Sequence, residues 1–237
     1  MKPIQADLLI LFITICWGSS YLFMKIGLEA ISPFNLIALR FGFAFLLAAG
    51  LFYRHLLRLN WKTIKFAMLL GLFLFMVFTT LTVGLETTTA SNAGFLVSLT
   101  VVLVPLLNAL LFRKPIGKKL VSSILIALAG ITLLTVELPF RITSGDLLCM
   151  ATAFFYAMHI IVTGYAARQV NPLQLGILQI GFTALYGLAG VFLFESPELP
   201  ASKEGWVAIL ILSVVCSALG FILQTVAQQY TSPARTG

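Results

Sequence analysis

Charged side chains are scarce in this sequence of 237 residues, and acidic ones are fewer than basic ones. Only 10% of the residues are Asp, Glu, Lys or Arg, whereas an ordinary soluble domain carries about 25%. Hydrophobic residues make up 60% of the chain. Because so little polar surface cannot cover a water-soluble globule, the composition excludes a soluble fold and predicts a protein embedded in the lipid bilayer.

Several patterns that carry chemistry are also missing. Cys16, Cys149 and Cys216 are odd in number and lie in apolar runs, which indicates neither a disulfide framework nor a metal site. The sequence contains no Walker loop and no hydrolase or zinc-protease motif, and no carboxylate lies deep in an apolar run. Direct use of ATP is therefore excluded, an intramembrane enzyme has little support, and no cofactor or metal is expected. The net charge of +7 is distributed between the apolar runs, which indicates orientation in a membrane rather than binding to nucleic acid.

Long apolar runs are what the sequence does contain. Eight of them approach the roughly 20 residues that a helix needs to cross a bilayer, and breakers such as Ser32-Pro33 and Asn171-Pro172 separate them. The runs are too long and too continuous for barrel strands, so they predict an all-α multi-pass membrane protein. The predicted spans are 8–27, 33–53, 64–85, 91–112, 119–136, 146–166, 173–194 and 206–229.

Basic residues predict the orientation of these spans. With the N-terminus in the cytoplasm, 11 of the 15 Lys and Arg residues fall on the cytoplasmic side, which is the positive-inside pattern. The first run lacks a good cleavage site and more spans follow it, so it is interpreted as a membrane span rather than a removed signal. An inner-membrane protein with a cytoplasmic N-terminus is predicted.

An internal repeat relates the second predicted span to the seventh. The residues that match at an offset of 139 are Pro33, Leu36, Leu39, Gly42 and Phe43 with Pro172, Leu175, Leu178, Gly181 and Phe182. Trp61 and Trp206 then match at an offset of 145, and Thr89 and Thr231 at 142. Pairing span 2 with 7 and span 3 with 8 makes the repeated unit five helices.

A five-helix unit reverses its orientation at each copy, which predicts an inverted repeat with a substrate site between the copies near the middle of the membrane. The first copy is assigned to 1–138 and the second to 139–237. Two such units need ten helices, whereas eight are predicted. We therefore expect the second copy to stop after its third helix, because of truncation or a frameshift.

Polar residues inside the spans are candidates for the lining of that site, since polar groups in hydrocarbon tend to face a bundle interior or a wet cavity. Trp17, Ser20 and Tyr21 share one face of the first span. Arg40 lies about 10 Å into the second span; it is interpreted as the partner of an anion or as a tether between helices, with snorkelling to the interface as the alternative.

Four further residues complete the candidate lining. Tyr156 and His159 share a face of the sixth span, and His159 either carries a coupling proton or is a neutral histidine bonded to a neighbour. Gln224 lies within the last span and is favoured as a cavity residue. Asn92 begins the fourth span, where it either caps the helix or reaches a substrate.

These residues resemble the drug/metabolite transporter superfamily, specifically its EamA-like bacterial members. The resemblance rests on motifs in five places along the chain, which are Trp17-Gly-Ser-Ser, Pro33 with Leu39-Arg40-Phe41, Thr89-Ala-Ser-Asn-Ala-Gly-Phe-Leu with Val104-Pro105, Gly145-Asp-Leu-Leu with Phe155-Tyr156-Ala157, and Tyr230-Thr-Ser-Pro. It implies ten helices in two inverted halves around a central cavity and export of amino acids or other small metabolites. The acidic Gly-Glu often found after the fourth helix is replaced here by Arg113-Lys114-Pro115.

The sequence therefore predicts a secondary transporter of the inner membrane that exports small polar metabolites such as amino acids by alternating access. Transport is expected to be facilitative or coupled to protons. The alternatives are a truncated fragment or membrane partner that does not transport, and, with less support, an intramembrane enzyme.

Overall fold

A computed structural model describes residues 3–113, 121–122, 125–126 and 143–236 of the chain. The regular structure of these residues is helical throughout, without a strand. The elements are α1 (Pro3–Leu28), α2 (Pro33–Leu51), α3 (Tyr53–Leu56), α4 (Trp61–Thr87), α5 (Ala90–Val97), α6 (Thr100–Phe112), α7 (Ser144–Ala166), α8 (Pro172–Phe194), α9 (Lys203–Ile211), the π-helix π1 (Leu212–Leu219), α10 (Gly220–Gln228) and α11 (Pro233–Thr236).

Seven helical segments of the described residues are long and apolar enough to cross a membrane. They are α1, α2, α4, α5 with α6, α7, α8, and α9 with π1 and α10. Seven of the eight predicted spans are thereby confirmed as helices, and the chain is a multi-pass membrane protein. The remaining predicted span, 119–136, lies outside the described residues except for 121, 122, 125 and 126.

Two of the predicted spans are interrupted rather than uniform. The span predicted at 91–112 breaks at Ser98 and Leu99, between α5 and α6. The Ser98 hydroxyl donates to the Phe95 carbonyl at 2.6 Å, which is the kind of back-bond that bends helices. The span predicted at 206–229 changes from α to π geometry over Leu212–Leu219. Neither change alters the apolar content of the run, so hydrophobicity alone could not predict it.

The helix starts follow from local sequence. Pro33 and Pro172 each occupy the first turn of their helix, where a missing N–H costs nothing. Helix α7 begins with a capping box in which Thr143 Oγ1 accepts from the backbone of Asp146 and Asp146 Oδ2 accepts from the backbone of Thr143. The second oxygen of Asp146 accepts from the Thr88 hydroxyl at 2.6 Å. This box therefore also fixes the start of α7 against the end of α4.

The helices pack against one another around buried polar side chains, among them Arg40, His159 and Gln179. Helix α4 packs against α7 and α8, α2 packs against α8 and π1, and α1 packs along α9, π1 and α10. Large apolar side chains cover the outside; Phe194, for example, is 74% exposed. An apolar exterior of this extent suits lipid rather than water.

Glycines bring α4 and α7 into close contact. A Cβ atom placed on Gly145 would overlap the carbonyl oxygen of Gly84 and lie 2.5 Å from Thr87 Oγ1. A Cβ atom on Gly84 would lie 3.0 Å from the Gly145 carbonyl oxygen. Small residues of this kind allow backbones to approach each other inside a membrane.

We expect Gly145→Ala to lower the thermal stability of the purified protein in detergent, because the overlapped backbone of α4 cannot move aside cheaply. Overpacking of this kind costs about 1–3 kcal/mol. Gly50→Ala is the matched control, since a Cβ atom at Gly50 meets nothing within 4 Å. Equal melting temperatures for the two variants would contradict this account of the contact between α4 and α7.

Residues 195–202 form a loop that contacts the start of α2. The Glu195 carboxylate accepts from the backbone N–H groups of Phe34 and Asn35, each at 3.0 Å. The hydroxyl and the backbone N–H of Ser32 donate to Glu198 Oε1. Carboxylates at a helix N-terminus satisfy otherwise unpaired N–H groups and match the helix dipole. The loop is therefore held to α2 by two carboxylates.

We expect this attachment to weaken in acid. The hydrogen bonds from the Ser32 hydroxyl and backbone lower the pKa of Glu198 below its ordinary value, so their contribution is complete above the ordinary glutamate pKa and is lost as the pH falls through the lowered one. A spin label at Ala201→Cys should become more mobile over that acid range. In Glu198→Gln the label should be mobile at higher pH as well; an unchanged pH profile in that variant would assign the transition to another group.

Candidate functional site

Two adjoining cavities lie between the helices at the polar centre. The inner cavity has a volume of about 60 Å³, and the outer one about 670 Å³. Trp17, Tyr21, Val97 and Tyr156 line both, so the two spaces meet along these side chains. The other residues that line the inner cavity are Ser20, Met24, Arg40, Val77, Phe78, Leu81, Thr152 and Phe221.

Arg40 is the one charged residue in the lining of either cavity, as far as the described residues form it. Its side chain is only 2% exposed, and its Nε donates to the Ser217 hydroxyl at 2.6 Å. The guanidinium carbon lies 4.4 Å from the centre of the Phe78 ring, a cation–π contact. Nη1 has no hydrogen-bond partner among the described residues. The structure therefore supports a buried role for Arg40 rather than snorkelling to the interface.

The π-helix positions the partner of Arg40. Ser217 lies in π1, and the carbonyl of the preceding residue, Cys216, accepts from Trp17 Nε1 at 2.8 Å. A Cβ atom at Gly220 would lie 2.6 Å from Trp17 Nε1, so only glycine leaves room for the indole there. π-Helical turns are frequent at functional sites. Here π1 binds two helices through adjacent residues, α1 through Cys216 and α2 through Ser217.

Aromatic rings form the wall between the two cavities. The Trp17 ring centre lies 5.0 Å from that of Phe221 and 6.0 Å from that of Tyr156, the latter edge to face. Such pairs add attraction beyond the area they bury. Tyr21 lines both cavities from one turn further along α1. The prediction that Trp17 and Tyr21 share one face with Ser20 agrees with their common position on the inner cavity.

The polar atoms of the wall are mostly engaged. The Ser20 hydroxyl donates to the Trp17 carbonyl at 2.7 Å. Gln224 Nε2 donates to the Tyr156 hydroxyl at 3.3 Å, while Gln224 Oε1 has no partner among the described residues. Tyr156 accepts that bond, and its side chain lines both cavities. Gln224 thus lies behind the cavity and acts on it through Tyr156.

His159 lies behind the wall rather than on it. It is fully buried, and its Nε2 is 3.0 Å from Gln179 Oε1. In a hydrogen bond to that amide oxygen Nε2 carries the proton, and Gln179 Nε2 donates onward to the Thr225 hydroxyl at 2.9 Å. Nδ1 has no hydrogen-bond partner among the described residues. The contact with Gln179 fits a histidine bonded to a neighbour, as in the second of the two interpretations that the sequence left open.

Asn92 is not brought to the cavities by the described residues. It is exposed in the first turn of α5, where its backbone N–H donates to the Thr89 hydroxyl at 3.1 Å. The cap of this helix is therefore Thr89. No group of three or more His, Cys, Asp or Glu side chains within the described ranges could hold a metal ion.

Sequence reasoning missed some important neighbours of Arg40. Phe78 and Phe221, which supply the aromatic surroundings, are indistinguishable by type from the other phenylalanines of the spans. Ser217 is a small residue of a kind that often serves close helix packing in membranes, so its type does not indicate a bond to Arg40. Gln179 lies at the repeat offset of 139 from Arg40, but that correspondence does not reveal the hydrogen bond from Arg40 to a hydroxyl of π1.

The fold and the two cavities between its helices define a multi-pass membrane protein with a buried arginine at an internal site. The family model of the EamA-like transporter family matches residues 4–136 and 143–237, and the chain belongs to that family. The predicted resemblance is thereby confirmed. Membership implies a small-molecule substrate and points to a transporter rather than an enzyme.

Two relatives agree with this assignment, and a solved structure shares the fold. An uncharacterized transporter of Archaeoglobus fulgidus is 31% identical over 232 residues, which cover 98% of this chain and 72% of the relative. A second uncharacterized transporter of that organism is 28% identical and covers 92% of this chain and 78% of the relative. A crystal structure with 21% identity has a TM-score of 0.75 and covers 99% of this chain and 82% of its own, which shows a shared fold.

We expect Ser217→Ala to destabilise the protein by about 1–3 kcal/mol, because it removes the hydroxyl that satisfies a buried charged donor. Ser213→Ala is the matched control: Ser213 is equally buried in π1, but its hydroxyl only donates back to the Ile209 carbonyl. Chemical unfolding in detergent, followed by tryptophan fluorescence, measures both. A control variant as unstable as Ser217→Ala would show that the Arg40 contact adds nothing to the loss of a serine hydroxyl.

Proposed function

We propose that this protein is a secondary transporter of the bacterial inner membrane that moves small polar metabolites out of the cell by alternating access. The observation that carries the proposal is the state of Arg40, a charged side chain that lines a cavity between the helices and whose Nη1 has no partner among the described residues. Ionisable residues buried at this depth usually mark a substrate or ion pathway. The aromatic and hydroxyl groups around it suit a small amphipathic ligand.

The packing of the helices supports an inverted repeat around this cavity. If the second copy begins after 138, α7 corresponds to α1 and α8 corresponds to α2. The span formed by α9, π1 and α10 corresponds to α4. The contact of α4 with α7 then has a counterpart in the contact of α1 with α9, π1 and α10, and α2 and α8 pack against each other. The two segments matched by the family model, 4–136 and 143–237, divide near the proposed boundary. Cavities between inverted copies are the usual substrate sites of secondary transporters.

The charge distribution supports a cytoplasmic N-terminus. Basic residues cluster between the end of α2 and the first turns of α4: Arg54 and Arg58 lie in the connection, and Lys62 and Lys65 lie at the start of α4. The loop 195–202, on the opposite side in this orientation, carries Glu195 and Glu198 and no basic residue. Proton coupling through His159 stays a prediction; the contact with Gln179 favours a structural role for that residue, so we propose facilitative transport as the simpler mechanism.

The cavity also offers a direct test of transport. Gly18 lines the outer cavity, and a Cβ atom there meets nothing within 4 Å. We expect Gly18→Leu to fill the cavity and to reduce flux about tenfold, given that overpacking a site costs about 1–3 kcal/mol. The measurement is the efflux of a panel of radiolabelled amino acids and small organic acids from proteoliposomes that contain the purified protein.

Gly50→Leu is the control, because Gly50 has equal space around it but lies near the end of α2, away from both cavities. Flux that is normal in Gly50→Leu and lost in Gly18→Leu supports the cavity as the pathway. Equal flux in the two variants would move the pathway elsewhere. Absence of flux from the native protein for the whole panel would overturn the proposed function in favour of a partner or a non-transporting form.

A further inference from the structure

We propose that the inner cavity binds the carboxylate of a small organic acid, with the Arg40 guanidinium as the binding group and the aromatic wall around the apolar body of the ligand. This inference deepens the proposed function, on which it rests, by naming the chemical class of the substrate. Its basis is the state of Arg40 rather than the membership of the family.

The charge of Arg40 lacks a counter-ion in the part of the chain that the structure describes. The ion pair found there joins Arg235 to Asp7, near the start of α1. Neither cavity has a carboxylate in its described lining. An uncompensated buried charge is costly. A ligand with one negative charge removes that cost, whereas a cationic ligand would add to it.

The hydrogen bonds of Arg40 favour a carboxylate in particular. A guanidinium has five N–H donors in a fixed plane. The bond from Nε to Ser217, 2.6 Å long, fixes the orientation of that plane, and no described residue accepts a hydrogen bond from Nη1. Arginine binds planar carboxylates through paired donors of this kind. A phosphate with two charges would leave one charge unmatched beside a single arginine.

The sizes of the two cavities fit a ligand with a small charged head and a larger body. A volume of about 60 Å³ beside Arg40 holds only a few water-sized groups, which suits a carboxylate. The outer cavity, about 670 Å³, is lined by Trp17, Tyr21 and Tyr156 where it meets the inner one. Aromatic faces provide apolar surface at that junction. The body of the ligand is therefore expected to be apolar next to the carboxylate.

Three probes with one body and different heads test this assignment. They are 3-phenylpropionate, 3-phenylpropionamide and 3-phenylpropylamine, and their binding to the native protein in lipid nanodiscs is measured by isothermal titration calorimetry. We expect the carboxylate to bind at least about tenfold more tightly than the amide, as for a hydrogen bond to a charged group. The amine should bind more weakly than the amide. Equal affinity for carboxylate and amide, or no binding of the carboxylate, would overturn the inference.

Variants then assign the preference to Arg40. Arg40→Gln should bind carboxylate and amide equally, whereas Arg54→Gln, which removes an exposed arginine outside both cavities, should keep the preference of the native protein. A preference for carboxylate that persists in Arg40→Gln overturns the role of Arg40. If Arg40→Gln does not fold, Arg40→Lys replaces it. A lysine keeps the positive charge but lacks the paired N–H donors of a guanidinium, so the preference for carboxylate should shrink without reversing. An unchanged preference would overturn the paired-donor geometry.

The same measurements separate this inference from the proposed function. Binding needs no transport. A native protein that prefers the carboxylate but gives no flux in proteoliposomes would therefore support the carboxylate site and overturn the proposed transport function. Flux of compounds without a carboxylate, together with equal binding of the first two probes, retains the transporter and overturns the carboxylate site.

Discussion

The contact between Arg40 and Ser217 is the interaction on which the centre of the bundle depends. A guanidinium buried to 2% exposure needs partners that water would otherwise supply. It finds a hydroxyl from π1 and the face of Phe78 from α4. The spans that contain α2, π1 and α4 must therefore hold their positions for the charge to remain buried. Burial of this one guanidinium thus determines both how these helices pack and which groups line the cavity.

The irregular backbone of π1 is stable for a related reason. Inside a membrane, non-helical backbone is tolerated where it is buried in protein or lines a cavity, because its polar groups find partners there. The Cys216 carbonyl has such a partner in the Trp17 indole, which fits against the helix only beside Gly220. The feature that departs from regular helix geometry is thus the feature that joins α1 and α2 at the site.

The residues of the site differ in how far the sequence could predict them. Arg40, Trp17 and Tyr156 are polar or amphipathic groups in apolar runs, and the cost of placing them in lipid already indicates a cavity. Phe78 gives no such signal, because its contribution depends on the rotation of α4 relative to α2. The helix bounds followed from breakers such as Pro33, whereas the break at Ser98 arises from a side-chain hydrogen bond that leaves hydrophobicity unchanged.

Positions 40 and 179 lie 139 residues apart, which is the offset of the internal repeat, and their side chains are engaged differently. Gln179 is buried like Arg40, but both ends of its amide are satisfied, by His159 and by Thr225. Gln179 is also absent from the described lining of both cavities. Arg40 has a donor without a partner and a charge without a counter-ion in the described residues. In the proposed inverted repeat, the position of Gln179 is therefore occupied by contacts within the protein, whereas the position of Arg40 keeps a donor for the proposed ligand.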